Sequence, residues 1–220
     1  MTEEPTTAHR PDGRRLRGER TRAAALDAVV ALASVDGLSG VSLARLADEL
    51  GVSKSGLFAH WRDKEQLQLD AVERARRMWI DEVCRPALAE PRGVRRLWAA
   101  HQARMDFYLA ERLPGGCFFA AVLAEFGDRP GPVRDRITEA IAAWLAFLAR
   151  LAAEAVAEGQ LRPGTDVEQL AFEIDALGLA AVTNSRVMDR SVLTVRCRRA
   201  VLDRLRAHCT DPSLLQEEPA

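Results

Sequence analysis

Between Gly40 and Leu67 the sequence reads GVSLARLADELGVSKSGLFAHWRDKEQL, two short helical patterns, each introduced by a serine, on either side of a Gly51-Val52 turn. Helices this short do not persist alone in water, because nucleation costs more than a few propagating hydrogen bonds return. Neighbouring helices must hold them, and this requirement constrains the fold more than any other feature of the chain. Ser42 is placed to cap a helix over 43–50 that Gly51 ends, and Ser53 to cap one over 54–61. Asp63 with Gln66 forms a D-x-x-Q capping box that opens a longer helix running to about Glu82. Upstream, a helical pattern over about 14–35 stops at Asp36-Gly37, where glycine supplies a left-handed C-cap.

Beyond Pro86 the apolar positions keep recurring at three and four residues, over about 91–112, 117–126, 132–158, 166–187 and 190–208. Leu113-Pro114-Gly115-Gly116 and the Gly127 to Pro132 turn interrupt them. With no sustained period-two alternation, the expected class is all-α with about nine helices. The expected organisation is a disordered arm over 1–13, a three-helix unit over 14–62, a connecting helix over 63–88, a helical bundle over 89–209 and a frayed tail over 210–220.

An apolar content of 48% with 29% charged residues predicts a soluble globular chain with a sizeable core. No apolar run approaches the ~20 residues a bilayer needs, and MTEEPTTAHRPDG lacks the hydrophobic segment of a secretory signal. A cytoplasmic protein with no membrane partner is expected. Cys84, Cys117, Cys197 and Cys209 lie far apart without a C-x-x-C pair, which predicts reduced, partly buried thiols rather than disulfides or zinc. Net charge is −1, yet between Arg10 and Arg22 six arginines face only Asp12 and Glu19, a local excess of +4.

On a helix over 54–61, Leu57 and Trp61 fall on one side, with Ser55, Ala59 and Arg62 opposite and Gly56 and Phe58 at the flanks. A face open to water usually carries Glu and Lys; small residues there predict close approach to another surface. A helix-turn-helix does this, laying its second helix in the ~12 Å major groove of double-stranded DNA while the first braces it.

The order Val41-Ser42-Leu43, Leu46-Ala47, Gly51-Val52-Ser53-Lys54, Leu57-Phe58, His60-Trp61 and Lys64-Glu65, after a long first helix, resembles the DNA-binding domain of the tetracycline-repressor (TetR) family of transcriptional regulators. The resemblance covers roughly residues 15–70. It implies phosphate contacts from Ser42, Ser53, Lys54, His60 and Lys64, and base-edge contacts from Ser55, Gly56 and Ala59. Phe58 stands at a DNA-facing position where the family commonly has tyrosine, and Gly56 where threonine is frequent.

In the bundle, Trp98, His101, Met105 and Tyr108 share one helical face, and Trp144 lies on the apolar stripe of 132–158. Such stripes build a core, and these five residues would also suit an apolar pocket with a few orienting groups. The resemblance implies a pocket whose small-molecule effector loosens the hold on DNA. The segment 166–187 is apolar on nearly all sides and needs two partners. Its own domain is one and a second copy of the chain the other, with Ile174, Leu177, Ala181, Val201 and Leu205 as candidate interface residues. Glu173 and Asp175 are expected to form an interface ion pair or a solvated edge.

The expected protein is therefore a homodimeric repressor of a palindromic operator. The alternatives are a related regulator that activates or answers to a protein partner and, more remotely, an all-α enzyme. No H-E-x-x-H, nucleophile elbow or phosphate loop is present, so no catalytic residue, metal or cofactor is expected.

Overall fold

The computed structural model describes residues 13–58 and 60–215, leaving the side chains of 13–17, Lys54 and Phe58 outside that description. Ala59, the arm before residue 13 and the last five residues also lie outside it. The elements, in order, are α1 (Gly13–Gly40), α2 (Leu43–Leu50), α3 (Lys54–Phe58), α4 (Lys64–Trp79), a π turn (Ile80–Cys84), α5 (Arg85–Ala89), α6 (Val94–Leu109), α7 (Phe118–Phe126), α8 (Pro132–Ala157), α9 (Val167–Asn184) and α10 (Arg190–His208). The fold is all-α. The π turn joins α4 and α5 into one rod, so nine helical rods are present among the described residues.

Local chemistry sets the ends of the short helices. Ser42 Oγ accepts from the Arg45 amide, and Gly51 closes α2 in the left-handed region at φ 61°. Asp63 accepts from the Gln66 amide at the start of α4. Gly37 breaks the helical path at φ 72° and ψ 169°, as expected of a terminating glycine, and a short second helical piece follows to Gly40, so α1 is two helices meeting at a kink. The third helix stops at Phe58, three residues short of the expected span, and the His60 amide bonds back to the Leu57 carbonyl in a tight turn. Trp61 is buried after that turn. Its indole N–H is fixed at 2.8 Å to Asp70 on α4, beyond the turn at His60.

Two further expectations are corrected. Residues 210–215 are not frayed: Leu215 is buried, and the Arg206 guanidinium donates twice to its carbonyl. Residues 18–40 and 132–157 form helices long and apolar enough, by length and composition, to cross a bilayer. In the protomer both serve as core helices, α8 contributing Ile137, Leu148 and Leu151.

The two parts of the molecule are joined tightly. The loop after α6 brings Gly115 against α1, where its amide donates to Ser34 Oγ at 2.9 Å and a Cβ would collide with the Ser34 carbonyl. A glycine is required there by backbone-to-backbone approach. On α7, Glu125 receives the Ser39 amide at 2.8 Å, tying the bundle to the end of α1.

Candidate functional site

The first site is the exposed face of α3. Leu57 and Trp61 are buried, whereas Ser55 and Gly56 are exposed. Ser53 Oγ accepts from the Gly56 amide at 3.1 Å and shares a hydrogen bond of 3.3 Å with the Ser55 hydroxyl, and Ser42 caps α2 by accepting from the Arg45 amide. Asp70 locks the assembly by receiving the Trp61 indole, the Gln66 amide group and the Arg22 guanidinium of α1, the last also lying over the Trp61 ring. Asp70 was not legible as functional, being one carboxylate on a half-buried helix face. Lys64 is exposed at the start of α4 and donates to the Ser39 carbonyl at 2.9 Å, while His60 is half-buried. Lys54, Phe58 and Ala59 make no describable contribution here, their side chains lying outside the described residues.

The second site is a cavity of about 340 Å³ bounded by α4, the π turn, α5, α6, α7, α8 and α9. Trp79, Phe119, Ile141, Trp144 and Phe147 form its walls, with Trp79 edge-on to Trp144 at 5.1 Å between ring centroids. Arg104 lies among Trp79, Tyr108 and Trp144, its guanidinium carbon 5.6–5.9 Å from their centroids. It donates Nε to the Tyr108 hydroxyl and Nη1 to the Asp175 carboxylate and carbonyl, and Trp144 Nε1 donates to the same carboxylate oxygen at 2.9 Å. Burial opposes the Arg104 charge, but Tyr108 and Asp175 outweigh it and hold its pKa above the ordinary value. Burial pushes the Cys84 thiol, also on the wall, up to about 11.

Of the five residues expected to line a pocket, Tyr108 and Trp144 do so and Trp98, His101 and Met105 do not. Met105 is fully buried, and His101 packs against α10, where Cys197 Sγ lies 3.7 Å from His101 Nε2 and Trp98 stacks on the imidazole. Sequence reading missed Trp79 and Arg104. Arg104 sits three residues after His101 and four before Tyr108, so a charge within an apolar face was the available signal.

Burial holds the His101 imidazole down to about 3, and Arg104 and Arg198 add to the effect. The unfolded chain takes up this proton near the ordinary value of about 6.5, whereas the folded chain does not. The unfolded state therefore binds more protons between these values. The stability His101 allows is complete above about pH 6.5 and falls by about 1.4 kcal/mol per unit as pH drops towards 3. Urea titrations at several pH values should lose this component in His101→Leu, and an unchanged pH dependence would place the titration elsewhere.

The candidate interface residues also require correction. Ile174, Ala181, Val201 and Leu205 are buried within the protomer, Leu177 is half-buried, and so they serve its own core. The outward apolar side chains of α9 and α10 are instead Phe172, Ala176, Ala180, Val192 and Val195. Asp175 pairs with Arg104 and Glu173 with Arg204, both inside one protomer.

Two sequence profiles match the chain, one of bacterial regulatory proteins of the tetR family over residues 25–71 and one of the tetracyclin repressor-like C-terminal domain over 93–201. The chain belongs to the TetR family. No protein with a curated description matches it in sequence. A TetR transcriptional regulator from Chloroflexus aurantiacus superposes with a TM-score of 0.81 at 23% identity, covering 88% of this chain and 98% of that one. AibR, solved in complex with isovaleryl coenzyme A and operator DNA, gives 0.64 at 19%, covering 82% and 97%. A protein from Saccharomonospora viridis in complex with choline gives 0.74 at 19%, covering 88% and 99%. This TetR-family chain is thus a DNA-binding transcriptional regulator and not an enzyme.

Proposed function

We propose that the protein is a cytoplasmic homodimeric repressor that holds a palindromic operator through two copies of the α3 face and releases it when a small molecule fills the cavity. The observation that carries this reading is that the cavity shares its walls with both elements that hold the reading head. Ile80 and Cys84 of the π turn line it, and the same rod begins at Lys64 beside α3. Phe119, Ala120 and Leu123 of α7 line it too, and Glu125 of that helix holds the Ser39 amide, whose residue also gives its carbonyl to Lys64. A ligand that moves α7 or the rod therefore acts on the Ser39 junction. The π turn suits this task, since such turns disturb helical register and recur at functional sites.

The ligand must favour the DNA-free arrangement, because equal affinity for both would shift nothing. A tenfold loss of operator affinity needs about 1.4 kcal/mol of preference. The neighbours solved with isovaleryl coenzyme A and with choline, the first also with operator DNA, support both halves of the proposal.

Selection of bound fragments from random DNA should return an inverted repeat with half-sites about one helical turn, or a near multiple, apart. On that fragment Lys64→Ala should reduce the slope of log K against log salt by about 0.9 per phosphate contact, about 1.8 for a dimer. Fragments without a common sequence would overturn the specific reading, and an unchanged slope would remove Lys64 from the contacts.

A further inference from the structure

Each arginine that lines the cavity has a carboxylate beside it. Three arginines line it, and each is committed to a carboxylate: Arg76 to Glu73 through two bonds of 2.8 and 2.9 Å, Arg104 to Asp175 at 3.0 Å, and Arg150 to Glu154 at 3.0 Å. Glu154 also serves Arg96, but Arg150 is half in solvent, where water screens its residual charge. An ion entering the floor of this site would leave water without gaining a free counterion, which is unfavourable at any depth where solvent cannot follow.

Each sign of charge meets its own obstacle. Aromatic walls ordinarily favour cations. Here the Arg104 guanidinium already lies among the rings of Trp79, Tyr108 and Trp144, so a second cation would sit beside a like charge. An anion drawn to Arg104 would meet the Asp175 carboxylate held on the same guanidinium.

Hydrogen-bonding capacity nevertheless remains at the floor. Arg104 uses Nε and Nη1, and among the described residues Nη2 makes no hydrogen bond. Asp175 accepts both its side-chain bonds on Oδ1, leaving Oδ2 able to accept another. Buried donors left unmatched are costly, and a ligand that satisfies them gains what they lack.

We propose that the effector is an uncharged, mostly apolar molecule whose head both accepts and donates a hydrogen bond, as an alcohol, phenol or amide does. Its body lies against Trp79, Phe119, Ile141 and Trp144, and its head meets the Arg104–Asp175 pair. This rests on the ligand-responsive reading above and narrows it.

Nonanol, nonanoate, nonylammonium and nonane share one chain and differ in the head, so they separate charge from apolar bulk. Each is titrated below its aggregation limit into the full-length protein, following tryptophan fluorescence and melting temperature, with operator affinity measured on the same samples. Nonanol should bind at least about tenfold more tightly than either ion, equivalent to about 1.4 kcal/mol, and more tightly than nonane. Either ion binding as well as nonanol would overturn the neutral-head assignment, and if that ion releases DNA the regulatory reading survives. Nonanol binding without DNA release would support the assignment and count against regulation through this cavity. Absence of binding by the whole series would overturn both.

Discussion

Phe172→Glu combined with Val195→Glu should yield a folded monomer whose operator affinity is lower by a factor on the order of 10² to 10⁴. Both side chains are mostly in solvent in the protomer, 60% and 64% exposed, so the substitutions touch none of its core. With Ala176, Ala180 and Val192 they extend an outward apolar surface across α9 and α10, of the kind soluble monomers seldom leave uncovered. In the proposed dimer, two self-complementary copies would bury it about a two-fold axis. A reading head as small as α3 makes few contacts alone, and pairing turns the second contact into an effectively intramolecular one, which sets the size of the loss. Ala181→Glu would give no such information, because Ala181 is 7% exposed and a charge there disrupts the protomer itself. Sedimentation and DNA titration on one sample decide the matter. A double variant that stays dimeric, or a monomer that holds the full operator as tightly as the parent, would refute this arrangement.

The second large effect is expected from Ser55→Glu. Ser55 is exposed on the face of α3 opposite the buried Leu57, and its hydroxyl is 3.3 Å from that of Ser53. In the proposed complex a carboxylate there would enter the negatively charged groove of both half-sites and replace a small side chain that fits it. Losing a base contact costs about 1–3 kcal/mol, and two half-sites double it, so affinity should fall by roughly 30-fold to 10⁴-fold. Helical content and melting temperature should change little, since the substitution buries nothing. Footprinting that still shows full protection at parental concentrations would mean that another surface reads the DNA.

How far the site was legible follows from the range of the interactions that build it. Ser42, Gly51, Asp63 and Gln66 act on backbone groups within four residues, so the caps of α2 and α4 could be placed from local sequence. The separation of Leu57 and Trp61 from Ser55 and Gly56 follows from helical periodicity and needs no knowledge of the partners. The turn at His60 and the hydrogen bond from Trp61 to Asp70 were not legible, because periodicity sees neither.

The larger domain shows the opposite balance. Periodicity determined that α6, α8 and α9 carry wide apolar faces, and the two-sided character of 166–187 determined that α9 must be covered twice. Which side meets the protomer and which is left open was decided by tertiary packing. Ile174 and Ala181 turned inward, and Phe172, Ala176 and Ala180 outward. The same packing set His101 against Cys197 of α10 and brought Arg104 of α6 to Asp175 of α9, 71 residues away. A helix records in its sequence which residues share a face, since the 3.6-residue period is local. The identity of the neighbour on that face, and so whether it lines a cavity or fills a core, is fixed only when distant segments pack.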